Sequence, residues 1–255
     1  MQRFMATKKP LAKRKSSALV DNIKTIVYAG LIALVVRTFL FEPFNIPSGS
    51  MLPTLDIGDY LFVAKYSYGY SRYSFPFGWP PFSGRIFGSP PHRGDVAVFK
   101  YPPDPSIDYI KRIVGLPGDT IQMKAGLLYI NGEVCPRQPV GDYSATEDGV
   151  RTVYREYIET LPDGVKHLEL KTTDEGWVNN TPVYTVPPGH VFAMGDNRDD
   201  SADSRFLNGV GYVPMQNLVG KAELIFFSVN GKDPWWEFWE WPFEIRWDRL
   251  MTVIH

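Results

Sequence analysis

Cysteine is nearly absent. Cys135 is the only one in 255 residues, which excludes an intrachain disulfide framework and a cysteine-built zinc site, so stability must come from packing. Net charge is scarce too. With 27 basic against 28 acidic residues and 44% hydrophobic residues, the chain is neither disordered nor a coat for nucleic acid. Histidines number four, and His92, His167, His190 and His255 stand in no Gly-x-Ser-x-Gly or His-Glu-x-x-His setting, which leaves histidine-based catalysis with little support. No glycine-rich phosphate loop precedes a Lys-Ser or Lys-Thr pair. There is no internal repeat, and helical periodicity is missing outside one apolar run. At ~150 residues per domain, the length fits one large domain or two modest ones.

Charge is unevenly spread. Residues 1–24 hold seven Lys/Arg and one acid, so the remainder is net negative. Immediately after the Arg3, Lys8, Lys9, Lys13, Arg14 and Lys15 cluster, Thr25–Val36 carries no charge, and Ile23–Phe41 gives 19 residues interrupted only by Lys24 and Arg37. At 1.5 Å rise per residue, this stretch matches the bilayer core. Both cations lie near its ends, where long stems reach the headgroups. The basic flank predicts a cytoplasmic N-terminus and an exported remainder. Because Arg-Thr-Phe-Leu-Phe-Glu-Pro follows rather than a small-x-small pair, the reading is an uncleaved anchor rather than a removable signal peptide. A buried core helix is the competing reading, since Arg37 shortens the uncharged run.

Beyond Pro43 the pattern turns to short apolar runs punctuated by Gly, Pro and Asn: Tyr60–Ala64, Asp95–Tyr101, Gly189–Met194 and Val219–Phe227. These read as strands. Leu127–Val134 reads as a hairpin closed by Asn131-Gly132, since both residues tolerate positive φ. Residues 136–187 are more polar, read as loop-like, and resemble an inserted subdomain. Two segments are rich in aromatics, Tyr66–His92 and Trp235–Trp247. Half-buried rings with a wet edge favour the membrane interface, so both are expected on the outer leaflet, with an aromatic core under a loop as the alternative.

Three stretches could carry chemistry. In Ile46-Pro47-Ser48-Gly49-Ser50-Met51-Leu52-Pro53-Thr54-Leu55, flanking prolines stiffen the backbone and Gly49 allows close approach, so Ser50 could be presented on a rigid turn. Taken alone, such a stretch is more often a turn or a helix cap. In Tyr109–Asp119, strand alternation puts Lys111 opposite Ile110 and Arg112. If Arg112 faces water, Lys111 points inward, where burial lowers its pKa and makes it a base; a solvated Lys-Arg pair is the alternative. Gly195-Asp196-Asn197-Arg198-Asp199-Asp200-Ser201-Ala202-Asp203-Ser204-Arg205 suits a hydrogen-bonded corner. Its composition approaches a calcium loop, but the sixth-position glycine and closing glutamate are missing, so no metal is expected.

Together, Ser-Gly-Ser-Met-x-Pro-Thr, Arg93-Gly-Asp-Val-Ala-Val-Phe-Lys-Tyr-Pro, Tyr-Ile-Lys-Arg-x-Val-Gly-Leu-Pro-Gly-Asp and Gly-Asp-Asn-Arg-Asp-x-Ser-x-Asp-Ser-Arg, in this order behind an anchor, closely resemble the type I signal peptidases. The resemblance spans essentially the whole chain. It implies a membrane-bound Ser-Lys dyad protease that cuts signal peptides from exported pre-proteins after small residues, without a cofactor. By the same resemblance Ser50 is the nucleophile, Lys111 the general base and Ser48 the oxyanion-hole hydroxyl. Ser201 orients the lysine amine, and Asp203 with Arg205 supports the corner. Phe44, Ile46, Met51, Leu55, Leu61, Val98 and Ile110 would line the pockets for small side chains. Asp200 departs from the asparagine often found there, and neither a second membrane helix nor a disulfide in the insertion is seen.

The expected fold is mostly β: a cytoplasmic tail over 1–21, a transmembrane helix over 22–42, and an extracytoplasmic region over 43–255. That region divides into a catalytic core of 43–122 and 188–255 and an inserted β subdomain of 123–187. Implied partners are signal peptides of secretory pre-proteins and the lipid bilayer, with the export machinery as a further candidate and no nucleic acid. The implied location is the bacterial inner membrane, single-pass. Two other functions fit the same segments: an anchored peptide-binding β module without catalysis, and a dyad protease dedicated to one substrate.

Overall fold

A computed structural model describes residues 18–147, 149–230 and 244–255. The apolar run forms α1, Ala18–Phe39. Except at its C-terminal end, its apolar side chains are largely exposed: Ile26 is 70% and Ile32 65% exposed. That removes the core-helix reading. The helix starts and ends earlier than the 22–42 expectation, because Phe41 and Glu42 already belong to the first strand. The basic cluster before α1 and the Trp235–Phe243 part of the aromatic segment lie outside the described residues.

Among the described residues fifteen strands follow: β1 Phe41–Asn45, β2 Asp59–Ala64, β3 Val96–Lys100, β4 Asp108–Gly115, β5 Thr120–Lys124, β6 Leu127–Ile130, β7 Glu133–Val134, β8 Arg137–Glu147, β9 Val150–Thr160, β10 Lys166–Lys171, β11 Tyr184–Thr185, β12 His190–Met194, β13 Val213–Pro214, β14 Leu218–Ser228 and β15 Thr252–Val253. The main sheet runs β1-β2-β14-β3-β4-β12-β13, with β15 added on β14. Alternating positions of β2 and β3 bury Leu61, Val63, Val96 and Val98, and the bulged β14 adds Val219, Ala222 and Ile225, in one core with Met51 and Leu55. The second core, around Val114, Ile121, Met123, Leu128 and Phe192, also takes in Cys135. Burial pushes that thiol up to about 12, so it stays protonated and inert.

β6 and β7 meet in a two-residue turn, with Asn131 at φ 55° and Gly132 at φ 82°. The loop-like reading of 136–187 is corrected. β8 and β9 are 11-residue strands that form, with β10, a separate antiparallel sheet. Most of β9's side chains are exposed or half-buried, so no period-2 apolar alternation marks it in sequence.

The Tyr66–His92 segment packs beside the end of α1. Phe39 meets Tyr70 and Phe75 edge-on, and the Tyr70 hydroxyl donates to the Phe39 carbonyl at 2.8 Å. Arg85 holds the segment to the body by donating to the carbonyls of Tyr68, Gly69, Met215 and Leu218. Phe87 and Trp79 nevertheless project outward, 85% and 73% exposed.

Candidate active site

Ser50 sits in a single 3₁₀ turn, Gly49–Met51, anchored by the buried Met51 side chain. Asn197 secures the turn from across the fold. Its backbone N–H donates to the Ser50 carbonyl at 3.2 Å, and its side-chain amide donates to the Gly49 carbonyl at 3.1 Å. Lys111 reaches the same point from β4, its Nζ 2.6 Å from Ser50 Oγ although 61 positions separate the two. Ser48 Oγ stands 3.5 Å from Ser50 Oγ on the open side.

Lys111 is 4% exposed. Burial lowers its amine to about 8, more than the nearby Asp203 and Asp196 charges raise it. A large share of the amine is therefore unprotonated just above neutral pH, as a general base requires.

Arg112 does not face water. It is fully buried, because β4 is covered on both faces there and the charge has a dedicated partner. Its guanidinium donates in a paired fashion to Asp196 at 2.8 and 2.7 Å, and also to the Gly94 and His255 carbonyls. Thr54 donates to the same Asp196 carboxylate at 2.6 Å, which ties the Ser50 turn to the corner.

The corner's acids are all engaged except one. Asp203 accepts paired bonds from Arg205 at 2.9 and 2.8 Å, and Asp199 accepts from Lys171 at 3.0 Å. Asp200 points outward, so the two adjacent acids do not compete for one partner. Ser201 is 7% exposed, and its hydroxyl makes no hydrogen bond in this arrangement. It nevertheless belongs to the site: a Cβ built on Gly195 would come within 2.3 Å of Ser201 Oγ and 2.5 Å of the Ser50 carbonyl. Only glycine permits that convergence.

Of the seven residues expected to line substrate pockets, Ile46, Met51, Leu55, Leu61 and Val98 are buried in the core, whereas Phe44 and Ile110 pack against them half-exposed. β12 pairs with β4 only over Arg112–Gly115, so the Asp108–Lys111 edge opposite β3 has no strand partner among the described residues. A cavity of about 630 Å³ lies between the end of α1, Glu42, Phe44 and Tyr73–Pro76, and neither Ser50 nor Lys111 lines it. Sequence reasoning missed Thr54, Arg112, Asp196 and Asn197 as site residues. The signal available was the density of paired charges, but their partners could not be assigned without the fold.

The family described as signal peptidase, peptidase S26, matches residues 19–227. A signal peptidase I of Rickettsia typhi is 45% identical over 232 residues, covering 88% of this chain and 85% of that protein. One from Rickettsia conorii is 45% identical over 214 residues, covering 81% and 78%. A solved signal peptidase I from Enterococcus faecalis is 26% identical over 52% of this chain and 97% of that one, with a TM-score of 0.30. With that family's match running from α1 into β14, and relatives this similar along most of their length, the chain belongs to the peptidase S26 family of signal peptidases.

Proposed function

We propose that this protein cleaves signal peptides from exported pre-proteins, with Ser50 as nucleophile and Lys111 as general base. The observation that carries the assignment is the 2.6 Å approach of a buried lysine amine to a serine hydroxyl on a rigid turn. Lys111 takes the hydroxyl proton as Ser50 Oγ attacks the scissile carbonyl, and passes it to the leaving amine as the C–N bond breaks. Water then attacks the acyl ester, with Lys111 again accepting the proton and returning it to Ser50. The Ser48 hydroxyl is placed to donate to the developing oxyanion. Ser201, Asp203 and Arg205 hold the lysine's surroundings. No step calls for a cofactor.

The substrate would add as a strand along the free Asp108–Lys111 edge, presenting small side chains to Phe44 and Ile110. Nothing in a peptide-binding module would require a desolvated amine against the hydroxyl, so a purely binding role is disfavoured. The division into core (43–122, 188–255) and insertion (123–187) is supported by the separate sheet of β8–β10. Wild-type protein in detergent should cut several unrelated pre-proteins after small residues. Turnover of one of them alone would make it a dedicated processing enzyme instead.

Orientation is part of the same proposal: N-terminus in the cytoplasm, α1 across the bacterial inner membrane, and residues 43–255 outside. The basic residues ahead of α1 support it. A periplasmic reporter fused after residue 43 should be active. Protease protection that places residues 43–255 in the cytoplasm would overturn this orientation.

A further inference from the structure

The inserted sheet touches both halves of the site. β10 lies parallel against the corner, where the Leu170 N–H donates to the Asp196 carbonyl at 2.9 Å and the Arg198 N–H donates to the Leu170 carbonyl at 3.0 Å. Leu170 and Tyr154 also pack on Leu52, two residues beyond Ser50. The Tyr143 hydroxyl on β8 donates to Asp56 at 3.3 Å. One sheet thus braces the serine turn and the segment that binds it.

At the seam lies a set of buried charges that the cleavage chemistry does not use. Glu159 on β9 and Arg198 are each 1% exposed. The guanidinium donates to both Glu159 oxygens, at 3.0 Å through Nη1 and also through Nη2. Glu169 lies 2.6 Å from the same guanidinium, and His167 stands 3.4 Å from Glu159. Burial lowers His167 to about 4, so it is a neutral ring at neutral pH. Burial pushes Glu159 up, and the Arg198 charge more than offsets this, leaving it an anion. Arg137 from β8, Lys171 from β10, and Asp196 with Arg112 complete the charged surroundings. Charges this deep do little for net stability, yet they resist any displacement that would unpair them.

We propose that the inserted sheet is a positioning element of the protease, in which Glu159, through its paired bonds to Arg198, fixes the Asp196–Arg205 segment and so the placement of Ser50 against Lys111. Arg198 is followed along the chain by Ser201, Asp203 and Arg205, and its carbonyl accepts from Arg205. It is preceded by Asn197, which grips the Ser50 turn, and Asp196, which holds Arg112 beside Lys111. Displacing Arg198 would therefore move both members of the dyad. The inference rests on the assignment of Ser50 and Lys111.

The test compares wild type, Glu159→Gln, Glu159→Asp, Arg198→Lys and Lys111→Ala in detergent on one pre-protein, with rates expressed per folded molecule. Glu159→Gln should lower kcat about 30-fold with KM within about twofold, because the peptide edge on β4 is untouched. Glu159→Asp, which keeps the charge, should recover part of the loss. Water reaching Lys111, which is surrounded by Asp203, Asp196 and Arg205, should also shift the rising limb of the pH profile upward. A role in stability alone would lower the melting temperature and leave that midpoint in place. If Glu159→Gln does not fold, Arg198→Lys, which keeps the charge but loses the fork, carries the same expectation. Folded variants with wild-type kcat and pH midpoint would overturn the inference. An active Lys111→Ala would instead overturn the dyad.

Discussion

Ser50→Ala and Lys111→Ala each leave a folded protein whose pre-protein cleavage is slower by a factor of about 10³ or more, the loss expected when a nucleophile or its base is removed. Lys111→Arg behaves the same way, because guanidinium stays charged and cannot accept the proton. The pH profile follows from burial. Below about 8 the Lys111 amine is protonated, so kcat/KM should climb about tenfold per pH unit and level off above that value. The burial that makes the amine a base also costs stability. The folded amine sits at about 8 against a model value of 10.5, so the unfolded chain binds more protons between these values. The penalty of the buried amine is thus full below pH 8 and is relieved as pH rises toward 10.5. Lys111→Met removes it and should stabilise the inactive protein near pH 7, by about 3 kcal/mol, at roughly 1.4 kcal/mol per unit for the fall from 10.5 to about 8. Thermal melts and cleavage assays across pH 6–10 check both halves. A Lys111→Arg enzyme with wild-type turnover would exclude the dyad.

Asp196→Ala is expected to cost about 3–5 kcal/mol, because it leaves the Arg112 guanidinium buried and unpaired. Asp196 is 1% and Arg112 0% exposed, so water cannot take over the lost bonds. Against a total stability of about 5–15 kcal/mol, this threatens folding itself. Where the variant does fold, Thr54 loses its acceptor and the Ser50 turn one of its ties, so turnover should fall well beyond the unfolded fraction. Asp163→Ala is the matched control. Its carboxylate is 59% exposed although it accepts from Arg93 at 3.1 Å, and exposed pairs contribute about 0–1 kcal/mol. Melting curves that put the two variants within 1 kcal/mol of each other would show that the Arg112–Asp196 pair is not what fixes the corner.

Local preference made much of this protein legible before any fold was known. Nineteen mostly apolar residues behind a basic cluster need a helix long enough to span a bilayer, and α1 formed there. Asn131-Gly132 tolerates positive φ in both residues, and it made the two-residue turn. Short apolar runs bounded by Gly, Pro and Asn became β2, β3, β12 and β14, because β3 and β12 are covered on both faces and so carry continuous rather than alternating apolar sequence. The four boxes that resemble the signal peptidases named the family, since so many specific residues in order do not arise by chance.

What only the tertiary structure decided lies where partners are far apart in the chain. Alternation left open which face of β4 is wet, and Arg112 is buried because Asp196, 84 positions away, neutralises it. Five of the seven residues that the resemblance assigns to the pockets are buried in the main core, a packing that no residue of the sequence specifies by itself. The polar ribbon of β8 and β9 has no alternation to read, as its faces are largely wet. Its strands exist because backbone hydrogen bonds pair two neighbouring segments whatever their side chains. The 2.6 Å meeting of Ser50 and Lys111, and the hold of Glu159 on Arg198, are products of closing long loops around a shared core. No local preference encodes such contacts, and the whole chain has to fold before either pair exists.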